Sequence, residues 1–421
     1  MTKIHFITQG CSLNHSDTEV MKGILNKFNF QIVETLNEAD LVIINSCTVK
    51  NPTEHKLFKY IKEAEKKNKK IIIAGCIAQT EPKLKKYSLL GTHQIDKITE
   101  VVKHTLKGET IHIIQEKNNK RLNLPKIRKN NIIEIIPIAK GCLGFPCAYC
   151  KTKQARGNLV SYPKEEIIEQ INESLKEGVK EIWLTAQDTG AYGLDINSSL
   201  PELLNKILEI EKDFKVRLGM ANPNHIKDCL PKLIQILKHE KMFKFIHIPI
   251  QAGNNRVIKL MRRQYTREDY IKLVNELKIN IPKITIATDI IVGFPTETDE
   301  EFKETLNLVK ETKPDIINIS KFWARPETEA AQMAQLPGIK IKERSNKLTK
   351  VFREIAKKQN EKWLNKECTI LLDEKGKEET ILGRNDSYKL IGIKKDKHKL
   401  GDIVKVKVKE SDTYYLKAEY L

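Results

Sequence analysis

Two hydrophobic rhythms alternate from the first residues of the chain. The runs KIHFITQGC, LVIINSC and IIIAGC are rich in branched apolar residues, and runs of this length and branching read as buried parallel strands. Helical spacing over Asp17–Phe28 and Thr53–Lys67 separates them, giving a βαβαβ order and a parallel sheet. This segment runs to about Gly108, and a polar, basic stretch from His112 to Asn131, containing Pro125, predicts a linker. A second series opens at Ile132. Its strand runs are IIEIIPIAK, EIWLTAQD, KVRLGMANP, FIHIPIQAG, ITIATDIIVGF and IINISKFWARP, with helices such as Lys164–Glu177, stopped by Gly178, between them. Such a series suits a partial (β/α) barrel whose working end lies at the carboxyl ends of its strands, where Gln187, Asp188, Asn222, Gln251, Asp289 and Arg325 collect. Beyond Asn360 the texture changes to ECTILLDE, ETILGRN, YKLIGIK, DIVKVKVKES and YYLKAEYL, a small antiparallel β-barrel. The chain is therefore expected to be α/β in class. An open parallel α/β sheet domain spans 1–111, a basic linker 112–131, a partial (β/α) barrel 132–360 and a small antiparallel β-barrel 361–421.

Charge adds a partner to this outline. The net charge is +19, and basic residues concentrate in Lys117–Lys129, Lys340–Lys358 and Arg384–Lys409. That is the footprint of a phosphate backbone, and it disfavours a basic protein as partner. Lys126, Arg128 and Lys129 in the linker are candidate RNA contacts. So are Lys405, Lys407 and Lys409, which strict alternation places on one face of a strand. Tyr388, Tyr414 and Tyr415 either stack on bases or pack in the barrel. No targeting peptide and no apolar stretch of membrane-spanning length is visible, so a cytoplasmic protein without a membrane partner is expected.

Cysteine spacing supplies the chemistry. Six of the eight cysteines form two trios: Cys142, Cys147 and Cys150 in GCLGFPCAYC, and Cys11, Cys47 and Cys76, each following an apolar run. Parallel strands bring their carboxyl ends to one edge of a sheet, so the dispersed trio converges there. A four-iron cluster normally takes four thiolates, and three leave one iron open to a substrate. Structural zinc is the rival for the compact trio, but no histidine lies between His112 and His225 to complete a local site. Asn14 and Asn45 shape the loops of the dispersed trio, while Cys229 and Cys368 have no partner pattern.

The strings TQGCSLNHSDTE, INSCTVKNPTE, AGCIAQ, CAYCKTKQARG, EIWLTAQDTGAYG, HIPIQAG, MRRQYT and ATDIIVGFPTET follow one another in order along nearly the whole chain. Together they resemble the radical S-adenosylmethionine (SAM) methylthiotransferases: a cluster domain, a radical-SAM core and a C-terminal TRAM barrel. SCTVKNPTEHK, LPKIRKN, CKTKQARGNLVSYP and LTAQDTGAYG are similar to the archaeal and eukaryotic branch. That branch methylthiolates N6-threonylcarbamoyladenosine beside the anticodon of tRNA. The chain departs from the family in two places. Its compact cysteines read Cx4Cx2C rather than Cx3Cx2C, and the family's RPGTPAA stretch reads RPETEAA over Arg325–Ala331.

The resemblance implies two [4Fe-4S] clusters, one on Cys142, Cys147 and Cys150, the other on Cys11, Cys47 and Cys76. It also implies two SAM molecules per turnover. One is cleaved at the first cluster to a radical that takes hydrogen from carbon 2 of adenine. The other methylates the sulfur carried by the second. Tyr149 would lie against the adenine of SAM, and Gln187, Asp188, Arg217 and Gln251 would bind its polar groups. Asp289 is either a further contact or a structural hydrogen-bond hub. The implied partners are tRNA, an electron donor such as flavodoxin or ferredoxin, and a sulfur source, acting on a monomer. Methylthiolation of isopentenyladenosine or of a ribosomal-protein aspartate is the alternative within the family. A zinc-containing RNA-binding protein is the alternative outside it.

Overall fold

The computed structural model describes residues 1–48, 51–114 and 121–421, with the side chains of 51–54 left aside. The basic positions 117–120 of the expected linker, and residues 49 and 50 of the string after Cys47, therefore lie outside the described residues. Six parallel strands form the first sheet: β1 (Lys3–Thr8), β2 (Gln31–Val33), β3 (Leu41–Asn45), β4 (Lys70–Ala74), β5 (Ser88–Leu90) and β6 (His112–Ile113), in the order β2-β1-β3-β4-β5-β6. β3 is buried at every position, as its continuous apolar run requires for a strand covered on both faces. Helix α1 (Ser12–Lys27) starts five residues earlier than its apolar spacing suggests, directly after Cys11. Its first turns carry buried polar side chains, Asn14, Ser16 and Asp17, which hydrophobic periodicity does not register. α2 (Asn51–Lys66) and the short α3 (Cys76–Thr80) follow β3 and β4, and α4 (Ile98–Leu106) follows β5.

The linker is tighter than its composition suggests. His112 and Ile113 pair with β5 as an edge strand. Residues 121–129 then lie in the seam between the first domain and the next. Gly23 of α1 approaches Pro125 so closely that a Cβ would sit 2.3 Å from the Pro125 carbonyl carbon, so this crossing needs glycine. Arg121 is buried against Asp17, and Lys126 and Arg128 both pair with Glu134.

The second domain opens with β7 (Ile133–Pro137), a short hairpin of β8 (Ala139–Lys140) and β9 (Val160–Ser161), and helix α5 (Thr152–Arg156). β10 (Glu181–Thr185), β11 (Lys215–Leu218), β12 (Phe245–His247), β13 (Thr285–Val292) and β14 (Ile316–Lys321) continue the series. The parallel sheets β11-β10-β7 and β12-β13-β14 meet through single bridges, Val216 to Met242 and Met220 to His247. The result is a six-stranded partial barrel. No ladder joins β14 to β7 among the described residues, and Ile316, Asn318 and Lys321 of β14 are exposed along that open side.

The last domain is a closed five-stranded barrel of β15 (Glu367–Lys375), β16 (Thr380–Asn385), β17 (Leu390–Lys394), β18 (Ile403–Ser411) and β19 (Leu416–Tyr420), ordered β15-β16-β17-β19-β18. One closing pair, β17 with β19, is parallel; the others are antiparallel. Alternation in β18 holds: Val404, Val406 and Val408 are buried while Lys405, Lys407 and Lys409 turn outward.

This barrel caps the amino-terminal ends of the core strands. The carbonyl of Asp386 accepts from Lys244 N at 2.6 Å, that of Ser387 accepts from Thr285 Oγ1 at 2.6 Å, and Lys389 pairs with Asp315 at 2.7 Å. Tyr388, at φ 58°, inserts its ring against Phe243 and Phe245, with centroids 4.8 and 4.9 Å away. Tyr388 is therefore a plug of this seam, not a base-stacking surface. Only Tyr414, 60% exposed, keeps that possibility in full.

Two carboxyls share the same seam. Burial, and then the neighbouring Glu181, raises the Asp373 carboxyl well above the usual carboxylate range, and burial raises Glu181 likewise, although Arg384 stands 3.5 Å from Asp373. The folded pair holds a proton that the unfolded chain releases near pH 4. Its stabilising contribution is complete below that value and is lost as pH rises through the folded value. Thermal unfolding should therefore fall in temperature between pH 6 and 9. Asp373→Asn should flatten that dependence, and an unchanged slope in the variant would contradict the assignment.

Candidate active site

β1, β3 and β4 are adjacent and in register at their ends, Thr8 with Asn45 and Asn45 with Ala74. Cys11, Cys47 and Cys76 therefore emerge at one sheet edge. Asn14 and Asn45 lock the loops that carry them: Asn14 Nδ2 donates to Asn45 Oδ1 at 3.2 Å, and Asn45 Nδ2 donates to the Asn14 carbonyl at 2.8 Å. Gly75, at φ +87°, leaves room for this lock, since a Cβ there would meet Asn45 Oδ1 at 2.2 Å. The Cys11 thiol donates to Asn14 Oδ1 at 3.4 Å. The Cys76 thiol is pushed down to about 6 by a hydrogen bond from Cys47 and by the Arg156 guanidinium, against the effect of burial. Both contacts favour the thiolate, the form that ligates metal.

Arg156 comes from the other domain. It ends α5, which packs on α3, and it is 1% exposed. Nε donates to Cys76 Sγ at 3.3 Å, and Nη2 donates to Asn14 Oδ1 and Asp17 Oδ2, both at 3.2 Å. The charges of Cys76, Cys11 and Cys47 all act to hold Arg156 protonated, so one guanidinium stands among the whole dispersed trio.

The compact trio sits at the other end of α5. Thr152 N donates to Cys150 Sγ at 3.3 Å, and Arg263 Nη1 donates to Cys147 Sγ at 3.2 Å. Burial, then the charges of Cys150, Asp188 and Cys147, raises the Cys142 thiol. The three thiols thus stand close enough for their charges to act on one another. Gly141, at φ +72°, lets the chain pass Asn158, whose carbonyl oxygen would lie 1.9 Å from a Cβ. The extra residue of the Cx4C loop bulges outward, leaving Phe145 88% exposed, while Lys153 bonds the Cys142 carbonyl at 3.1 Å and the Gly144 carbonyl beneath it. The two carboxylates added in the 325–331 segment also have partners: Glu327 lies 3.9 Å from Lys151, and Glu329 pairs with Arg262.

No three His, Cys, Asp or Glu side chains among the described residues converge on a point able to hold a single ion. A four-iron cluster asks each thiolate to bind a different iron and not one shared ion, and three cysteines are the donor set for a cluster with one iron left open. The donor sets fit.

The residues expected to contact SAM divide. Tyr149 packs edge-on to Phe294 at 6.4 Å beside the compact trio. Gln187 accepts from Gly141 N at 2.6 Å, so it holds the cysteine loop directly. Asp188 is 4% exposed and spent on structure: it accepts from Gly190 N and Asn222 N, both at 3.0 Å, and from Asn222 Nδ2 at 2.6 Å and His225 Nδ1 at 2.5 Å. Asn222 in turn accepts from Arg263, which completes a relay from Asp188 to Cys147. Gln251 takes φ 70° and bridges to Ile290. Asp289 accepts from Asn318 at 2.8 Å and lies 3.0 Å from His247, on the inner face of the open barrel.

Arg217 requires correction. It is stacked on Trp183, Phe245 and Tyr388, at 5.0, 5.1 and 5.4 Å, in the seam with the terminal barrel, away from the cysteines. Lys126 and Arg128 require it too. The acid embedded in the apolar run of β7, Glu134, is fully buried and draws both cations inward. Lys129 remains exposed beside them. Arg156, Arg121, Arg263 and His225 are the residues that reading the sequence missed.

Family models match the chain in three consecutive parts: Uncharacterized protein family UPF0004 over residues 3–93, the Radical SAM superfamily over 136–309 and the TRAM domain over 362–421. The threonylcarbamoyladenosine tRNA methylthiotransferase of Homo sapiens is 42% identical over 99% of this chain and 74% of its own length. The probable threonylcarbamoyladenosine tRNA methylthiotransferase of Pyrococcus horikoshii is 37% identical over the full length of both. Among solved structures, the radical S-adenosylmethionine methyltransferase TsrM from Kitasatospora setae, with cobalamin and a [4Fe-4S] cluster bound, has a TM-score of 0.57 at 13% identity, covering 78% of this chain and 77% of its own. That likeness is one of fold. With relatives of this identity along its whole length, the chain belongs to the threonylcarbamoyladenosine tRNA methylthiotransferase family.

Proposed function

We propose that the chain converts N6-threonylcarbamoyladenosine beside the anticodon of tRNA to its 2-methylthio derivative. It would use one [4Fe-4S] cluster on Cys142, Cys147 and Cys150, a second on Cys11, Cys47 and Cys76, and SAM. The observation that carries this reading is the delivery of both thiol trios to the two ends of α5. When bound, these groups supply the electron, the radical able to break an unactivated C–H bond, and the sulfur that replaces the hydrogen. The chain supplies placement. Arg263 and the Thr152 amide hold Cys147 and Cys150, and Gln187 fixes the turn before Cys142. Tyr149, Gln187 and Gln251 line the SAM position in this reading, and the His247–Asp289–Asn318 group faces the nucleoside entering by the open side. A flavodoxin or ferredoxin as electron donor, a separate sulfur source and a monomeric enzyme complete the proposal.

The RNA must reach a site at the opposite end of the core from the terminal barrel. The helix Gly338–Glu361 spans that length: Ile341 lies against Gly293 at the carboxyl end of β13, and Asn360 bonds the Asp412 carbonyl of the barrel at 2.7 Å. Lys342, Lys347, Lys350, Arg353 and Lys357 are exposed along it. With Lys129, Lys405, Lys407 and Lys409 they form the proposed phosphate track. Reversing Lys350, Arg353 and Lys357 to Glu should weaken tRNA binding and reduce its salt slope by about 2–3, with iron content unchanged. An unaltered salt dependence would remove the helix from the track.

Anaerobically purified protein should carry about eight irons per chain and no stoichiometric zinc. Cys47→Ala should retain reductive SAM cleavage and lose thiolation; loss of both would mean that the trios do not work separately. Deleting the gene should remove the 2-methylthio group from ANN-decoding tRNAs and leave threonylcarbamoyladenosine in place, read by nucleoside mass spectrometry. Unchanged spectra, or loss of methylthiolated isopentenyladenosine instead, would defeat the substrate assignment.

A further inference from the structure

Two guanidiniums meet on one carboxylate in the seam between the first two domains. Arg121 and Arg156 are both buried there and share one acid, Asp17, itself 2% exposed. Arg121 also bonds the Thr92 carbonyl, so its fork is occupied on both sides. Beyond that carboxylate, the negative charge nearest Arg156 comes from sulfur, since the charges of Cys76, Cys11 and Cys47 all act on it.

Arg156 keeps one donor to spare. Its Nε and Nη2 have partners, whereas Nη1 is buried without one, among Cys11, Cys47 and Cys76. A guanidinium that served only to join the domains through Asp17 would not need this third donor. Arg121 already reaches the other oxygen of that carboxylate.

We infer that Arg156 is a positioning residue for an anionic sulfur species, a sulfide or perthiolate held beside the dispersed trio. Its free Nη1 donates to that sulfur while Nε restrains Cys76. The inference rests on the proposed function, since it assumes a cluster on the dispersed trio, and it adds the group that orients the incoming sulfur. It also gives α5 a purpose. The same five residues donate to a compact-trio thiolate through Thr152 N and to the dispersed trio through Arg156, so sulfur is held in fixed relation to the first site.

The test uses holoenzyme with two clusters and its R156K and R156Q variants, titrated with sodium sulfide and followed by the electron paramagnetic resonance of the reduced clusters. Hydrogen bonds to sulfur raise a cluster's reduction potential. In R156Q the dispersed-trio cluster should therefore move to lower potential, and the sulfide needed for its spectral change should rise at least tenfold. The compact-trio cluster should not shift. R156K keeps the charge beside Asp17 but lacks the fork; it should retain iron and still need more sulfide. Wild-type sulfide titration and potential in an iron-replete R156K would overturn the inference. If R156Q loses iron, the R156K comparison alone decides. Absence of a second cluster in the wild-type protein would instead defeat the proposed function, a separate outcome.

Discussion

A buried guanidinium ties this molecule together. Arg156 leaves the core domain and ends among the thiols and the carboxylate of the first domain, 1% exposed. Such a contact is unforgiving: removing either side strands a charge in a low-dielectric seam. Its geometry also fixes the relation between the two trios. A five-residue helix rises about 8 Å, so the thiols at its two ends are held at a short and rigid separation. The supporting glycines and asparagines serve that placement, Gly75 by making room for the Asn14–Asn45 lock and Gly141 by letting the compact loop pass Asn158.

The remaining architecture follows from where the ends of the core strands point. Their carboxyl ends carry the compact trio. Their amino-terminal ends are stoppered by the terminal barrel, through Tyr388 and the aromatic stack on Arg217. The module that matches the TRAM domain thus docks opposite the thiols. The open side between β14 and β7 and the long basic helix become the surfaces that connect them.

Much of this was legible in the residue pattern. Branched apolar runs identified the parallel strands, and strict alternation in KVKVK predicted the faces of β18. Both trios were visible because strand ends in a parallel sheet share one edge. What stayed hidden has a common cause: polar side chains whose partners lie far along the chain. Arg156 sits in a short polar helix, and its partners Asp17 and Cys76 are more than seventy residues away in sequence. Lys126 and Arg128 looked like free cations, yet Glu134 in the middle of an apolar strand already signalled a buried acid in need of them. Arg217 was expected among the SAM contacts, but its stack on Trp183, Phe245 and Tyr388 holds it in the seam with the terminal barrel. Periodicity reveals which face a residue takes, not which domain will close over it.

The proposed chemistry needs two clusters close together across one domain seam. Pulsed electron paramagnetic resonance on doubly reduced holoenzyme measures this directly. Helix length plus the reach of an arginine side chain predicts a magnetic interaction corresponding to roughly 20 Å or less. Two non-interacting spins, or a separation well beyond that range, would contradict it.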